Sequence, residues 1–101
     1  MPTVIVDGEL EAIIPRYFEL QRQGLADLRA AVERGDAESA RLIGHRMKGT
    51  GTSYGFPNLT ELGAAIEGAA LAGDLAGAGR LGAEAESFLD AVRVVYGEVK
   101  P

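Results

Sequence analysis

Apolar residues recur at three- and four-residue spacing along most of the chain, which predicts a protein made of helices. We expect four principal helices, at 16–34, from about 37 to 53, after a turn at 55–58, and in a last segment that ends near Gly97. A brief helix is also expected around Glu9–Ile14, with Asp7 as its N-cap. Pro15 then restarts the chain, because proline suits the first turn of a helix. No strand-like alternation extends beyond a few residues, so no sheet is predicted.

The connections between these helices are short and carry their own signals. Gly-Asp pairs at 35–36 and 73–74 combine a residue suited to the left-handed end of one helix with an N-cap for the next. Asn58 followed by Glu61 resembles a capping box at the start of the third helix. Short connections make consecutive helices antiparallel, so the predicted fold is all-α, an up-down-up-down antiparallel four-helix bundle with a short N-terminal capping helix. We expect residues 1–101 to form this single domain.

Composition narrows the class of protein. The 101 residues carry a net charge of −5, which disfavours binding to the phosphate backbone of nucleic acids. The absence of cysteine excludes disulfides and cysteine-based zinc sites. No apolar run approaches the roughly 20 residues that cross a bilayer, and the N-terminus lacks the basic region of a signal peptide. We therefore expect a cytoplasmic protein with no nucleic-acid or membrane partner, and the initial Met and compact ends favour a complete short protein.

The chain has a single histidine, His45, inside the second predicted helix. At about 100° per residue, the apolar Ile43, Met47 and Tyr54 fall opposite the histidine, so its imidazole should face solvent. Within about 60° of it on the same helical wheel lie Arg41, Leu42, Lys48, Gly49 and Thr52. Arg46 lies farther round, and no acidic residue occurs from 39 to 60. Within that stretch, three cationic side chains therefore accompany the imidazole.

These neighbours favour a histidine that carries a phosphoryl group. A nearby cation disfavours protonation of an imidazole, which leaves a neutral ring nitrogen available as a nucleophile. Lys48, one turn away, can meet a dianionic group on His45, and Gly49 leaves the approach open. We assign Arg41 to the same phosphate-site support. We expect the docking of a partner to involve Leu42, Arg46 and Thr52. For Leu42, packing against a neighbouring helix is an equal alternative.

Other interpretations of the histidine have less support. A lone histidine on a helix surface is most often simply solvated. Metal sites in bundles pair an inward-facing histidine with a carboxylate three residues earlier, whereas position 42 is leucine, so no metal is expected. A Ser-His-Asp triad is conceivable, but nothing in the sequence places its members together. Gly44-x4-Gly49-Thr50 lacks the lysine of a Walker A loop and no strand precedes it, so no ATP site is predicted.

The segment HRMKGTGTSYG, from His45 to Gly55, closely resembles the signature of the histidine-containing phosphotransfer (HPt) domain family, His-x-Leu/Met-Lys-Gly-small-small-x-x-x-Gly. The similarity extends over almost the whole chain, including VDGELEAIIPRYFELQRQGLADL before the histidine and LTELGAAIEGAALAGD after it. The resemblance implies a phosphorelay intermediate of two-component signalling. In this family, a histidine accepts a phosphoryl group from a receiver-domain aspartate, or from a histidine kinase, and passes it to another receiver-domain aspartate.

Residue by residue, the resemblance implies that His45 is the phosphoacceptor, that Lys48 neutralises the phosphoryl oxygens and that Gly49 gives steric access. Gly55 would end or bend the helix. Such a carrier would need no cofactor and would have neither an ATP site nor autokinase activity, since magnesium belongs to the partner receiver domain. Its partners would be response-regulator receiver domains and a histidine kinase.

Two alternatives remain open. A non-phosphorylated helical adaptor would keep the fold and bind a receiver or kinase domain without carrying phosphate. A sensor-kinase dimerisation domain also carries a phosphorylated histidine in a helical bundle, but it usually has an acidic residue directly after the histidine and uses two chains. Here Arg46 follows the histidine and one chain supplies four helices, so a monomer is favoured.

Overall fold

The computed structural model describes residues 2–97, in which four helices form a bundle. Helix α1 spans Ile14–Glu33, α2 spans Ala37–Gly51, α3 spans Pro57–Leu71 and α4 spans Leu75–Ala91. Each helix packs against its neighbours in sequence, and α1 also packs against α4, which closes the bundle. The predicted helical bundle is confirmed in its four principal helices. Within residues 2–97, no helix combines the length and the apolar character that a membrane span requires.

Both Gly-Asp connections work as the sequence predicts. Gly35 and Gly73 have positive φ angles of 73° and 76°, which glycine adopts without a steric penalty. Asp36 accepts a hydrogen bond from the backbone N–H of Ser39 at 3.1 Å, and Asp74 caps α4 in the same way. Helices α2 and α4 therefore begin at side-chain N-caps, and each of the two connections is three residues long.

The start of α3 differs from the prediction, and the expected capping box of Asn58 and Glu61 is wrong. Phe56 holds the N-cap position without a side-chain hydrogen bond, and Pro57 begins the helix. Proline suits this position because its missing N–H would have no helical partner there. The Phe56 ring is fully buried and meets the edge of Phe18, with 5.2 Å between centroids. Packing of the aromatic ring therefore fixes the start of this helix.

The two ends of the chain pair as strands, which the sequence analysis does not predict. Strand β1 (Thr3–Asp7) lies parallel to β2 (Arg93–Gly97), with Ile5 opposite Val95. The side chains of this terminal strand pair that pack against the core are Val4, Val6, Val94 and Tyr96. Branched side chains favour strands, but each strand has five residues and the pairing joins opposite ends of the chain. A local window of sequence therefore cannot detect it.

The terminal strand pair also changes the elements beside it. Asp7 is the N-cap that the sequence predicts, but the element it caps is a 3-10 turn at Gly8–Leu10 and not a helix over Glu9–Ile14. Helix α4 ends at Ala91, before β2 begins, and not near Gly97. The chain end that was expected to extend α4 therefore covers one end of the core as a strand.

The core lies between the helices and beneath the terminal strand pair. Its largest fully buried side chains are Phe56, Leu25, Leu28, Leu59, Ile66 and Val6. Tyr17 of α1 stacks on Tyr54, with 4.1 Å between the ring centroids. The Tyr17 hydroxyl lies 3.3 Å from that of Thr50, and burial raises the pKa of Tyr17. These contacts fix the C-terminal half of α2 against α1, five residues after His45.

Candidate functional site

Helices α2 and α3 approach each other closely through glycines. A Cβ atom on Gly44 would lie 2.6 Å from the backbone nitrogen of Glu67, and one on Gly63 would lie 2.8 Å from the Gly44 carbonyl oxygen. Near the end of α2, a Cβ on Gly51 would lie 2.5 Å from the backbone nitrogen of Thr60. A larger residue at any of these positions would force the two backbones apart. The close approach brings Glu67, one turn beyond Gly63, beside the exposed face of α2.

His45 lies on that face and is exposed over 59% of its side chain, which confirms the position predicted from the helical wheel. Its Nδ1 atom lies 2.9 Å from Glu67 Oε2. Lys48 donates a hydrogen bond from Nζ to the other carboxylate oxygen, Glu67 Oε1, at 2.6 Å. The Glu67 side chain is 15% exposed, so the carboxylate sits between the helices while the imidazole remains accessible. We call these three side chains the His45–Glu67–Lys48 cluster.

The carboxylate fixes the proton arrangement of the imidazole. Two hydrogen bonds lower the pKa of Glu67 below its ordinary value. The one from Lys48 has the larger effect and the one from His45 the smaller. Glu67 is therefore ionised at neutral pH and can only accept hydrogen bonds. Nδ1 of His45 must then carry the proton that Glu67 accepts. In the neutral ring this leaves the lone pair on Nε2, where it can act as a nucleophile.

The site carries less positive charge than the stretch from 39 to 60 indicates, because two carboxylates come from outside that stretch. Glu67 pairs with Lys48, and Glu38 pairs with Arg41, whose Nη2 lies 2.6 Å from Glu38 Oε1. This hydrogen bond raises the pKa of Arg41 and lowers that of Glu38. The unpaired cluster of cations that the sequence analysis places around the imidazole is therefore largely neutralised in the folded chain.

Nothing in the described part of the chain requires a glycine at position 49. Gly49 is exposed one turn after His45, and a Cβ atom there would meet no atom of residues 2–97 within 4 Å. A glycine inside a helix destabilises it by about 1 kcal/mol relative to alanine. Gly44 and Gly51 differ, since α3 occupies the space that their side chains would need. Gly49 therefore opens the surface beside the imidazole without any benefit to packing within the chain.

Thr52 lies just beyond α2 and is held by Thr60 of α3. The Thr60 hydroxyl accepts the backbone N–H of Thr52 at 2.8 Å and donates to the Lys48 carbonyl at 3.2 Å. The Thr52 hydroxyl lies 3.0 Å from that of Thr60 and acts as the donor, because the Thr60 proton is already used. Gly55 then has a φ angle of 91°, which ends the 3-10 turn Thr52–Tyr54. These bonds fasten the end of the histidine helix to α3.

Leu42 and Arg46 lie on the side of α2 that faces α1. Leu42 is 36% exposed, so it is neither a packed core residue nor a fully solvated one. Both residues line an open depression between α1 and α2, together with Ile43. Among residues 2–97, no carboxylate forms an ion pair with Arg46. The structure therefore places an apolar and a cationic side chain on an open surface next to the histidine face.

Glu67 is the site residue that the sequence analysis misses. It lies 22 positions after His45 in a different helix, so no local pattern joins the two. One signal was present in the sequence. Gly63 falls on the apolar side of the third helix, where a glycine indicates close contact with a neighbouring backbone. Glu67 lies one turn later on the same side and is therefore the acidic residue of α3 nearest to such a contact.

The structure is a helical bundle that presents one accessible imidazole, which contacts a carboxylate that also binds a lysine. A family model, the Hpt domain, matches residues 13–94. The chain belongs to this family. Hpt domains serve phosphotransfer in two-component signalling and act as carriers without an ATP site of their own. The comparisons with curated proteins and with solved structures found no match.

Proposed function

We propose that this protein is a phosphorelay intermediate in which Nε2 of His45 carries the phosphoryl group. The His45–Glu67–Lys48 cluster supports this proposal, because it leaves a nucleophilic nitrogen on an accessible ring and a cation beside it. The donor is a phosphorylated aspartate of a receiver domain or a histidine kinase, and the acceptor is the aspartate of another receiver domain. The family match covers the same segment of chain.

The transfer is a substitution at phosphorus. The lone pair of His45 Nε2 attacks the phosphorus atom, an N–P bond forms, and the P–O bond to the donor aspartate breaks. The bonding electrons leave on the aspartate carboxylate. The proton on Nδ1 stays on the ring, which becomes cationic and keeps its hydrogen bond to Glu67. The negative carboxylate thereby stabilises the positive charge that develops on the imidazole.

Lys48 supplies the compensating cation for the phosphoryl oxygens. Its side chain is 40% exposed, and its ammonium group is hydrogen-bonded to Glu67 at the site. A dianionic group on Nε2 draws the ammonium group away from Glu67. Lys48→Ala should therefore slow transfer by roughly tenfold to a hundredfold without unfolding the domain. Unchanged single-turnover rates in this variant, with an unchanged circular dichroism spectrum, would remove Lys48 from the site.

Arg41 is the second cation that we expect to bind the phosphoryl oxygens. It lies one turn before His45 on the exposed face and is paired with Glu38 at the solvent edge. Surface ion pairs of this kind contribute little stability, so a phosphoryl dianion can compete for the guanidinium. Magnesium and the acceptor aspartate belong to the receiver domain, so the carrier needs no cofactor of its own.

Partner docking would use the surface beside the histidine, with Leu42 as its apolar part and Arg46 as its cationic part. An acidic phosphorylation pocket on the receiver complements the cation, which favours rapid and correctly oriented association. Gly49 leaves the space that this approach requires. Thr52 would contribute at the other end of the face. We further place the protein in the cytoplasm as a monomer, and its mass in solution tests the oligomeric state.

The decisive experiment measures phosphoryl transfer to the native chain and to His45→Gln from two kinds of donor. One donor is the full set of phosphorylated receiver domains of the source organism, and the other is phosphoramidate, which needs no docking surface. An acid-labile, alkali-stable adduct on the native chain alone supports the proposal. If neither donor modifies the native chain, the protein is a helical adaptor that keeps the motif without the chemistry. Loss of helicity in His45→Gln would give the histidine a structural role instead.

A further inference from the structure

A groove runs between α1 and α2 on the side of the molecule adjoining the exposed face of His45. It consists of two depressions of about 290 and 300 Å³ that share Asp27, Ile43 and Arg46. Leu42 lies at one end of this α1–α2 groove, and Leu20 lies at the other. The groove is therefore continuous with the surface that would meet a phosphoryl donor.

Gly24 lines the groove from the middle of α1 and keeps part of it empty. A Cβ atom on Gly24 would meet nothing within 4 Å among the described residues, so none of their side chains or backbone atoms requires a glycine here. The position is half-buried, which distinguishes it from a fully solvated helix surface. Glycine weakens a helix interior, so alanine at position 24 would make the helix more stable. The glycine therefore has no benefit for folding at this position.

Three glycines inside the described helices share this property, namely Gly24, Gly49 and Gly68. Gly49 adjoins the imidazole, and Gly24 lines the groove whose α2 wall includes Arg46, the residue after His45. Gly68 lies on the exposed side of α3, outside the groove, and serves as a matched control. Two of the three glycines that packing does not require, Gly24 and Gly49, thus lie on the surface where we propose that a partner approaches.

The walls of the groove indicate what it accommodates. Leu20, which is 51% exposed, the half-buried Ile43 and Met47 give the space next to Gly24 an apolar part, beside the side chains of Gln21 and Gln23. Arg46 stands at the rim without an ion pair among the described residues. Asp27 at the opposite rim accepts a hydrogen bond from the Gln23 side chain at 3.1 Å. An apolar side chain flanked by a carboxylate therefore fits this groove.

We propose that Gly24 is a specificity-determining residue for receiver docking, where it admits an apolar side chain from a helix of the receiver domain while a neighbouring carboxylate pairs with Arg46. This inference rests on the proposed phosphorelay function and names a contact of that partner away from the reacting atoms. Receivers with a bulky apolar residue at the matching position would be selected, and receivers with a charged residue there would be excluded.

The test compares Gly24→Ala and Gly24→Leu with Gly68→Ala and Gly68→Leu. Both alanine variants should raise Tm by roughly 3–6 °C, because each removes a helix-interior glycine. With the fastest phosphorylated receiver domain of the source organism as donor, kcat/KM should fall about tenfold for Gly24→Leu and less for Gly24→Ala. The Gly68 variants should match the native chain. Phosphoramidate should modify all five proteins at one rate, since it needs no groove.

The outcomes separate this inference from the proposed function. Native transfer rates in Gly24→Leu would overturn the role of Gly24 and leave the phosphorelay function standing. If Gly24→Leu slowed modification by phosphoramidate as much as transfer from the receiver domain, the role of Gly24 would also be overturned, because the substitution would then act on His45 itself. If phosphoramidate modifies the native chain and no receiver domain does, receiver docking is wrong. If neither donor modifies the native chain, the proposed function is wrong as well.

Discussion

A single carboxylate, that of Glu67, binds both chemically useful side chains of the site. One oxygen faces His45 Nδ1 and the other faces Lys48 Nζ, at 2.9 and 2.6 Å. The carboxylate is largely enclosed between α2 and α3 and contacts Nδ1, so this contact leaves Nε2 free, and the His45 side chain as a whole is 59% exposed. At the scale of residues, the resting site is therefore close to electrically balanced, and an arriving phosphoryl group must rearrange existing partners.

The role of Glu67 can be tested by Glu67→Ala with Glu61→Ala as the control. Both replace an acidic residue of α3 with a good helix former, but among the described residues Glu61 forms no ion pair. Loss of Glu67 should shift neutral His45 away from the tautomer protonated on Nδ1 and slow transfer by at least about tenfold. Nitrogen-15 NMR of the His45 ring measures the tautomer, and single-turnover experiments measure the rate of phosphoryl transfer. An unchanged tautomer in Glu67→Ala would contradict this assignment.

At the scale of elements, the glycines of α2 serve different purposes. Gly44 and Gly51 allow α3 to approach, whereas Gly49 leaves solvent space beside the imidazole. The same residue type thus sets a helix-to-helix distance on one side of α2 and, in the proposed function, gives a partner access to the imidazole on the other. Composition alone does not separate these purposes, because both appear in the sequence as glycines that weaken a helix.

Alanine substitutions at Gly44 and Gly49 should change the free energy of unfolding in opposite directions. Gly44→Ala should lower the free energy of unfolding by about 1–3 kcal/mol, because its methyl group would collide with the α3 backbone. Gly49→Ala should raise it by about 0.5–1 kcal/mol and yet slow transfer from a receiver domain. Urea unfolding and single-turnover transfer measure the two quantities. Equal stability changes in the two variants would contradict the proposed division.

The N-cap of α2 should give the stability of the protein a defined acid dependence. Hydrogen bonds from the Ser39 hydroxyl and backbone, and then from Arg34, lower the pKa of Asp36 from 3.8 to about 2. Because the folded-state pKa is depressed, the stabilisation is complete above about pH 4 and disappears as pH falls through about 2. Asp36→Ala should therefore have a lower Tm than the native chain at neutral pH, and this difference should shrink between those values.

Asp36→Asn is the matched control, since asparagine caps helices well but does not titrate in this range. Its Tm should lack the acid step that Asp36 contributes to the native chain. Thermal unfolding from pH 2 to pH 7 measures all three proteins. If the Tm difference between Asp36→Ala and the native chain stays constant over this range, the depressed pKa of Asp36 is not a source of stability.

The helices and two of their connections were predictable because their signals are local. Apolar spacing places the four principal helices, and Gly35 with Asp36 marks a stop followed by a start. The start of α3 was not predictable, because the buried ring of Phe56 replaces a side-chain cap. Glu67 and the terminal strand pair were missed for a shared reason. Each depends on contact between segments that are far apart in sequence.

At the scale of the whole molecule, the positions of the charged side chains matter more for the proposed docking than the net charge does. The chain carries a net charge of −5, yet Arg46 stands without an ion pair among the described residues on the side proposed for docking. Arg80 of α4 is also exposed and also lacks an ion pair within residues 2–97. It lies outside the α1–α2 groove, so it provides the same charge in a different place.

Charge reversal at these two arginines tests the docking surface. Arg46→Glu should slow transfer from a receiver domain by roughly three- to tenfold at low ionic strength, and added salt should reduce the difference. Arg80→Glu makes the same change in net charge and should transfer at the native rate. Stopped-flow or quenched-flow transfer over a range of salt concentrations measures both. Equal slowing by the two variants would indicate a general effect of net charge and contradict a local docking role.

The terminal strand pair has a consequence for how the molecule assembles. Thr3 pairs with Arg93, so this contact must close a loop that contains all four helices. Three of the helix pairs, α1 with α2, α2 with α3 and α3 with α4, are neighbours in sequence and close much shorter loops, which cost less chain entropy. We therefore expect the helices to assemble before the strands. We also expect the strand amides to open more readily than those of the helix that carries His45.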